Sequence, residues 1–416
     1  MEEGRRGRGR QGRIIHDVLI IGAGAAGLAA AAELKRAGRS VVVLEARNRI
    51  GGRCWTRRLP GLPVPIELGA EFIHGPAQST LALLARAGVP GVDSTRTQRF
   101  VERGRLREAN AFVAAQKAVQ HKAVLRKRDL SFLDFLSKKK IDPAMKRLAI
   151  MMVQGFDAAD PARVSAREIA EEWGSGALGS SQMRPQGGYG TLLETFLTGR
   201  FQVALGRPVR EVRWRRGAVE VDGLEARHAI VTLPLGVLQA GAVGFFPAID
   251  KQAALGKLAS GPVIRVALRF REAFWEERCP GIAFFHSTEA PFPTFWTPLP
   301  MHAPLLTAWA GGPKAERLTG FSEKKLIQTA LESIRAVFRR VPPVQAALVQ
   351  DWQADPWSRG GYSYVLVGGQ GAREELRKPI EKTLFFAGEA TDADEAGTVA
   401  GALRSGLRAA REVLAA

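Results

Sequence analysis

A glycine-rich turn near the start of the chain limits the fold more than any other sequence feature. Residues 14–21 form a short β-branched apolar run, typical of a buried parallel strand, and Gly22, Gly24 and Gly27 follow it directly. An Ala-rich stretch then predicts a helix, and residues 40–44 predict a second buried strand. A β-α-β unit of this length with a G-x-G-x-x-G turn is typical of dinucleotide-binding folds. The chain is therefore predicted to be an α/β protein that opens with a Rossmann-like domain.

The residues of this turn suit a bound dinucleotide. Gly22 permits the tight turn, Gly24 lets backbone approach a pyrophosphate, and Gly27 allows close packing of the helix on the strand. The helix N-terminus beside Ala26 offers N–H donors to phosphate. Glu45 ends the second strand and can accept a hydrogen bond from a ribose 2′-OH, while its charge disfavours the 2′-phosphate of NADP. A glycine turn without a ligand is the weaker interpretation in this context.

The segment EARNRIGGR, residues 45–53, favours FAD over NAD. A second glycine pair, Gly51 and Gly52, again lets backbone come close to a cofactor. Arg53 can offer a planar, two-pronged donor to the pyrophosphate. We therefore predict that the dinucleotide is FAD.

From the first strand through LEARNRIGGRCW to IELGAEFIHG at residues 66–75, the sequence resembles the flavin-containing amine oxidases. This group includes monoamine oxidases, polyamine oxidases and flavin-dependent histone demethylases. Further segments of the same kind are GFDAAD (155–160), GGYG (187–190), TLPLGVL (232–238), SRGGYSY (358–364), FAGEA (386–390) and TVAG (398–401). The resemblance covers almost the whole chain and leaves out only the basic N-terminal tail.

The resemblance implies a Rossmann-like FAD-binding domain of the p-hydroxybenzoate-hydroxylase type, interleaved with an α+β substrate domain that contains a mixed or antiparallel sheet. One strand of that sheet, residues 263–270, alternates like a half-solvated antiparallel strand. We assign a disordered tail to 1–13, the FAD-binding domain to 14–80, 200–258 and 352–416, and the substrate-binding domain to 81–199 and 259–351.

The resemblance also implies which residues hold the cofactor. Glu45 and Arg53 would hold the ribose and the pyrophosphate, and Val209 would contact the adenine through its backbone. Glu389 would lie by the ribityl phosphate. The cofactor-binding residues predicted in this way are Gly22, Gly24, Ala26, Gly27, Glu45, Ala46, Arg47, Gly52, Arg53, Val209, Gly388 and Glu389, with Gly69, Ala70, Glu71, Phe72, Thr398 and Val399 beside the flavin ring.

Three residues are candidates for the amine-binding part of the site. Tyr362 matches one wall of the aromatic cage that flanks the amine in monoamine oxidases, although a strand tyrosine with a satisfied hydroxyl is the simpler alternative. Thr398 replaces the second cage tyrosine, as in polyamine oxidases and demethylases. His74 matches a histidine at the polar end of polyamine-oxidase sites, with a purely structural hydrogen bond as an equal alternative.

Arg265 departs from the pattern of the family. The family usually has a lysine at this point of the strand, where it holds a water beside flavin N5. An arginine keeps the charge, but it is planar, bulkier and unable to lose its proton. We count Arg265 with the catalytic-site residues and expect the flavin to be reduced by substrate while its reoxidation by oxygen is slow.

The function that the resemblance implies is FAD-dependent oxidation of an amine, with hydride transfer to flavin N5, imine hydrolysis and reoxidation by oxygen with release of peroxide. Gly361 stands where covalent-flavin members carry a cysteine, so FAD is predicted to be noncovalent. The alternative is a dehydrogenase or desaturase of the same fold with poor oxygen reactivity, owing to Arg265. A third hypothesis, a chromatin- or nucleic-acid-associated flavoprotein, is opposed by the absence of the long helical insertion of the demethylases.

The formal net charge of +19 bears on partners. Nucleic acid is disfavoured because the basic residues do not form a stripe interleaved with aromatics. A polycationic substrate is disfavoured too, unless Asp157, Asp160 or Glu171 face the entrance of the site. The expected partners are therefore a small-molecule amine and oxygen or another electron acceptor.

Scarce cysteine and histidine limit the remaining possibilities. The chain has 2 Cys and 6 His without metal-ligand spacing, so we predict no metal and a reducing compartment. No run reaches the length of a membrane span, and the tail does not continue as an export signal. We expect a soluble, cytoplasmic protein, either a monomer or a homodimer.

Overall fold

The structure is a computed structural model that describes residues 15–94, 97–102, 105–108, 110–120, 125, 127–174, 181–196, 201–338 and 340–416. The predicted tail, residues 1–13, lies outside the described residues. The described strands are β1 (Ile15–Ile21), β2 (Val41–Leu44), β3 (Thr56–Arg57), β4 (Ile66–Glu67), β5 (Ile73–His74), β6 (Gly91–Asp93), β7 (Gln98–Glu102), β8 (Arg105–Glu108), β9 (Gln182–Pro185), β10 (Gln202–Ala204), β11 (Glu211–Arg215), β12 (Ala218–Val221), β13 (Leu224–Val231), β14 (Gly244–Phe246), β15 (Leu258–Gly261), β16 (Val263–Arg269), β17 (Phe284–His286), β18 (Thr294–Trp296), β19 (Leu305–Gly311), β20 (Ala346–Asp351), β21 (Tyr362–Val365) and β22 (Leu384–Phe386).

The described helices have the following bounds. They are α1 (Ala25–Arg36), α2 (Gln78–Ala87), α3 (Ala111–Ala118), α4 (Phe132–Ser137), α5 (Pro143–Gly155), α6 (Ala166–Gly174), α7 (Gly188–Glu194), α8 (Leu235–Gln239), α9 (Gln252–Leu255), α10 (Gly312–Glu316), α11 (Glu323–Arg335), α12 (Ala372–Arg377) and α13 (Val399–Leu414). The molecule is thus a mixed α/β protein, as the sequence predicts.

The first sheet contains the predicted β-α-β unit. Its strands run in the order β10-β2-β1-β13-β12-β11-β14, and β22 also pairs with β13. The pairs β10–β2, β2–β1, β1–β13 and β13–β22 are parallel. All of β2 is buried, because helices pack on a parallel sheet. The carboxyl ends of β1, β2 and β13 therefore meet at one edge, where parallel α/β sheets bind their ligands.

Helices α1 and α13 pack against each other over this sheet. Gly406 of α13 lets the two helices come together, because a Cβ atom there would lie 2.1 Å from the carbonyl oxygen of Ala26. The C-terminal helix therefore packs over the first one, and its middle lies against Ala26 at the start of α1.

The second large sheet has the order β20-β16-β19-β18-β17-β7-β8, and all its pairs are antiparallel except the parallel pair β17–β7. Strand β16 lies between β19 and β20, so its antiparallel pairing agrees with the prediction. The prediction of a half-solvated strand is wrong, since every residue from Val263 to Leu268 is buried. Ile264 packs with α11 residues on one face, and Arg265 lies on the opposite face.

Candidate active site

A cavity of about 830 Å³ runs from the glycine turn of the first sheet to the second sheet. Of the residues predicted from the sequence, all line this cavity except Gly27. Gly27 lies beneath the turn, and a Cβ atom there would be 1.9 Å from the carbonyl oxygen of Gly22. Its role is therefore close packing, as predicted.

The glycine turn is held open toward the cavity by Glu45. The buried carboxylate accepts hydrogen bonds from the backbone N–H of Ala23 and of Arg47, each at 2.8 Å. Arg47 in turn donates to Asp355 at 2.6 Å and to Ser358 at 2.9 Å. Glu45 thus ties the first turn to the segment that begins at residue 46, and it keeps oxygen lone pairs on the cavity wall.

The turn leaves space of the kind that a phosphate needs. A Cβ atom at Gly24 or at Gly388 would meet no other atom within 4 Å. Gly24 is also the N-cap of α1, and no side chain caps that helix end. Uncapped N–H groups that face an open cradle suit an anion such as a pyrophosphate. The residues present therefore fit a dinucleotide cofactor.

Arg53 and Glu389 form an ion pair on the cavity wall, with 2.9 Å between Arg53 Nη1 and Glu389 Oε1. Glu389 also accepts from the hydroxyl of Ser363 at 2.6 Å and from Gly397 N at 3.1 Å. Burial alone would raise the pKa of Glu389, but Arg53 and Arg373 hold this pKa below its usual range. The pair fixes Arg53 beside the cradle through residues from the far end of the chain.

Arg265 is buried, with 1% of its surface exposed, and it reaches the segment that follows β4. Its Nη1 donates to the carbonyl of Gly69 at 2.8 Å, and its Nη2 is paired with the carboxylate of Glu71. Glu71 also accepts from Arg184 Nε at 2.6 Å and from the indole of Trp296 at 3.0 Å. The guanidinium is therefore held in place by protein atoms.

Aromatic side chains line the cavity next to this ion pair. Trp296 and Trp309 lie 5.7 Å apart between ring centroids, and Trp309 donates to the carbonyl of Gly155 at 2.8 Å. The hydroxyl of Tyr362 donates to the carbonyl of Phe156 at 2.5 Å. The ring of His74 packs edge-on against Phe156, with 5.1 Å between centroids. These contacts make a firm, apolar wall that suits an uncharged amine.

Thr398 lies on the cavity wall, but its hydroxyl is engaged in the backbone. It caps α13 by accepting from Gly401 N at 3.0 Å, and it donates to the carbonyl of Glu395 at 2.6 Å. The structure thus gives the Thr398 hydroxyl the role of an N-cap that places the end of α13.

Carboxylates line the same cavity beyond the aromatic wall. Asp157, Glu171 and Glu172 are lining residues, whereas Asp160 is not. Burial raises the pKa of Asp157 well above its usual range, and repulsion from Glu172 adds to this. Glu172 also lines the cavity, and loss of hydration, followed by repulsion from Glu168, raises its pKa to about 7. Carboxyls with raised pKa values are stabilised by a cation that enters beside them.

Comparison with known proteins connects this geometry to one family. The family model for flavin containing amine oxidoreductases matches residues 25–414. The chain belongs to the flavin-containing amine oxidoreductase family. This membership confirms the resemblance seen in the sequence.

Among the relatives of this amine oxidoreductase is lysine-specific histone demethylase 2 of Homo sapiens, 30% identical over 96% of this chain and 53% of that protein. Polyamine oxidase 3 of Oryza sativa subsp. japonica is 29% identical over 95% of this chain and 88% of that protein. The chain thus spans about half the length of the demethylase it matches.

Solved structures share the fold. Putrescine oxidase, a structure with putrescine bound, has a TM-score of 0.81 at 22% identity and covers 97% of this chain and 100% of its own. Cyclohexylamine oxidase from Brevibacterium oxydans IH-35A has a TM-score of 0.80 at 23% identity, with 96% and 99% covered.

Several residues of the amine oxidoreductase site were not found from the sequence. Trp296, Trp309, Glu172 and Arg373 line the cavity, and Arg184 contacts Glu71 behind its wall. These residues carry no motif of their own. Only Arg184 had a local signal, an arginine in a short strand before the GGYG segment. Among the described residues no cluster suits a metal ion, and none of the described helices is long and apolar enough to cross a membrane.

Proposed function

We propose that this chain binds FAD noncovalently and uses it to oxidise an amine. When bound, the flavin would accept a hydride at N5 from the carbon beside the amine and would return the electrons to oxygen, with imine hydrolysis and release of peroxide. The observation that carries the proposal is that one continuous cavity of about 830 Å³ is lined both by the phosphate-binding cradle and by the aromatic wall. A cofactor laid along the cradle would end at that wall.

FAD is the dinucleotide that these residues fit best. The open space at Gly24 suits the pyrophosphate, and Glu45 suits a ribose hydroxyl. Arg53 would add the positive charge that the pyrophosphate needs. A noncovalent cofactor is supported by Gly361, where a Cβ atom would lie 2.6 Å from Val263 Cγ2, so that a cysteine does not fit without movement. We also propose the p-hydroxybenzoate-hydroxylase type of FAD-binding domain and the two-domain division given above.

The protein's own part in the reaction is to accept the amine uncharged and to exclude water. Tyr362 and Trp309 present ring surface, and their polar atoms are already bonded to carbonyls of residues 155–156. Such a wall disfavours the ammonium form of a substrate beside it. Burial, followed by the charges of Asp157 and Glu172, raises the pKa of the Tyr362 hydroxyl, so it stays neutral.

The substrate class that the cavity favours is an amine with a second positive charge. The sequence allowed such a substrate only if carboxylates faced the site, and Asp157, Glu171 and Glu172 do line the cavity. A cation there relieves the repulsion between the carboxylates. The names of the relatives, polyamine oxidase and putrescine oxidase, point to the same class.

A dehydrogenase with poor oxygen reactivity is the second candidate function. It is favoured by the contacts of Arg265, which is bonded to Gly69 and Glu71 and buried among protein atoms. A planar guanidinium held by two protein partners differs in shape and hydrogen bonding from the ammonium group of a lysine. The two candidates differ only in the electron acceptor.

The test is anaerobic mixing of purified holoprotein with amines while the flavin absorbance is followed, and then admission of air. Putrescine and spermidine are compared with butylamine, which has one positive charge fewer than putrescine at the same chain length. Bleaching by the diamine at lower concentration than by butylamine, then rapid recovery with peroxide, supports an oxidase for dications. Bleaching without recovery supports the dehydrogenase, and no bleaching by any amine contradicts both. Acid precipitation should release the FAD into the supernatant.

A further inference from the structure

Three charged side chains form a buried row between the second sheet and the segment after β4. Arg184, from β9, donates through Nε to Glu71 at 2.6 Å, and Glu71 pairs on its other oxygen with Arg265, from β16. The exposed fractions of these side chains are 8%, 10% and 1%. We call Arg184, Glu71 and Arg265 the charge row.

The charge row has a net charge of one positive unit. Burial would raise the pKa of Glu71, but Arg265 and Arg184 hold it below its usual range, so the carboxyl is ionised. Each of the two guanidinium groups contributes one positive charge. A further carboxyl that interacts with the row is Glu67, whose pKa is raised to about 7 by burial and by repulsion from Glu71, so it offsets the excess charge only in part at neutral pH.

The row is a wall of the cofactor cavity. Glu71 and Arg265 line the large cavity, and on the other side the row lines a separate void of about 20 Å³. Arg265 Nη1 donates to Gly69 O, and the next residue, Ala70, donates its N–H to Arg53 O at 3.1 Å. The net positive charge of the charge row is therefore connected to Arg53, the proposed pyrophosphate-binding residue, by a short stretch of backbone. Because the row is buried, little water screens this charge.

We propose that this row sets the redox and anion-binding properties of the bound flavin, with Glu71 as the positioning residue that holds Arg265 against the cavity. The inference rests on the proposed FAD site. A fixed positive charge favours the state of a neighbouring group that carries more negative charge. It therefore makes the bound flavin easier to reduce and more receptive to an added anion. Because Glu71 cancels half of the positive charge, it also limits this effect.

The experiment is a charge series in the FAD-bound protein. Glu71→Gln raises the net charge of the row by one, Arg265→Gln lowers it by one, and Arg265→Lys keeps it. Two properties are measured without any amine: the midpoint potential of the flavin against a reference dye, and the dissociation constant of sulfite, an anion that bleaches oxidised flavins. Arg36→Gln removes a charge from the exposed face of α1 and serves as the matched control, since Arg36 is 74% exposed.

Glu71→Gln should have the highest flavin potential and the tightest sulfite binding. Wild type and Arg265→Lys should be equal and intermediate, and Arg265→Gln should be lowest in both. A unit charge about 10 Å away at an effective dielectric constant of about 20 changes an equilibrium constant by about tenfold. For a two-electron couple, tenfold is about 30 mV. A general loss of stability would not shift the flavin potential in opposite directions in Glu71→Gln and Arg265→Gln. If Glu71→Gln does not retain FAD, the comparison of Arg265→Gln with Arg265→Lys still decides.

Equal potentials and equal sulfite constants in Arg265→Gln, Arg265→Lys and wild type would overturn the inference, and amines could still bleach the flavin in that case. The two proposals can also fail separately in the other direction. If the potentials and sulfite constants shift as expected but no amine reduces the flavin, the inference about the charge row stands and the proposal of amine oxidation fails.

Discussion

Replacing Glu71 by glutamine should destabilise the protein by an amount that its contacts allow us to work out. The carboxylate serves three donors: Arg184 Nε, Arg265 Nη2 and Trp296 Nε1. Glutamine has nearly the same shape, but it has one acceptor oxygen and places an amide N–H against a guanidinium. Removing one partner of a buried ion pair costs about 3–5 kcal/mol, because the remaining charge stays buried. We expect about 3 kcal/mol, the lower end, since one acceptor is kept.

This free energy corresponds to a measurable shift in Tm. With roughly 2.1 cal/mol/K of unfolding entropy per residue, a chain of 416 residues has an unfolding entropy of about 0.9 kcal/mol/K. The Tm should then fall by about 3–4 °C. The assay is thermal unfolding followed by circular dichroism at fixed scan rate and fixed excess FAD, because a bound ligand also raises Tm.

A double-mutant cycle provides the control for this prediction. Glu71→Met and Arg265→Met are each measured alone and together, and the pair should be less damaging than the sum of the two by about 1–3 kcal/mol. Glu71→Met alone leaves both arginines without their carboxylate, whereas the double replacement leaves only Arg184 in that state. A Tm for Glu71→Gln within 1 °C of wild type, or strict additivity in the cycle, would refute the argument that these charges are buried and coupled.

Three further predictions concern pH, the cradle and the aromatic wall. The pKa of Glu67 is raised to about 7, above the 4.5 of an unfolded glutamate, so its contribution to stability is full below pH 4.5 and is lost as the pH rises through about 7. The free energy of unfolding of wild type relative to Glu67→Gln should fall by roughly 3 kcal/mol over this range, and a constant difference in urea titrations would contradict the assignment. Gly24→Ala should keep its stability and weaken FAD binding by about tenfold, whereas Gly27→Ala should lose stability, because only the first has room for a methyl group. Isothermal titration with FAD and thermal unfolding of the FAD-free variants check this pair, and equal behaviour would contradict the assigned roles. Tyr362→Phe keeps the ring and loses the bond to Phe156, so it should cost about 1 kcal/mol of stability and leave flavin reduction within about tenfold, while Tyr362→Ala should weaken amine binding much more in stopped-flow titrations. Equal losses in the two Tyr362 variants would show that the ring is not part of the amine site.

The cofactor cradle could be predicted from the sequence because its determinants are local. The turn from Gly22 to Gly27 lies between a strand and a helix that are adjacent in sequence, and Glu45 ends the next strand of the same unit. The glycines are needed for the tight turn and for close packing, and the glutamate can accept a hydrogen bond from a ribose. Tertiary packing only had to bring α13 over the turn, and the small side chains of that helix permit it.

The contacts that surround Glu71 and Arg265 could not be predicted, because they come from three distant segments. Glu71 follows β4, Arg184 lies on β9 and Trp296 on β18, and no periodic pattern links them. The same strand shows why alternation misled the prediction of half-solvation. Apolar and charged residues alternate along β16 as in a strand with one face in water, yet the buried carboxylate of Glu71 pairs with Arg265 inside the protein.

The net charge of the chain is a poor guide to its substrate because the cavity has its own charge distribution. Near Glu71 the excess is positive, owing to Arg265, whereas Tyr362 lies beside the carboxyls of Asp157 and Glu172, whose pKa values are raised and whose ionised form a neighbouring cation favours. The ring pair Trp296 and Trp309 joins the two regions, since Trp296 donates to Glu71 and Trp309 to the carbonyl just before residue 156. A cation that enters the cavity is attracted toward the carboxylates and repelled from Arg265. The two regions would therefore orient a dication of the proposed kind along the aromatic wall, and the positive region would lie beside the proposed cofactor. A chain with a net charge of +19 is compatible with such a substrate, because salt screens the electrostatic effect of surface charges beyond about 8–10 Å. The charges that line the cavity then dominate the electrostatic potential inside it.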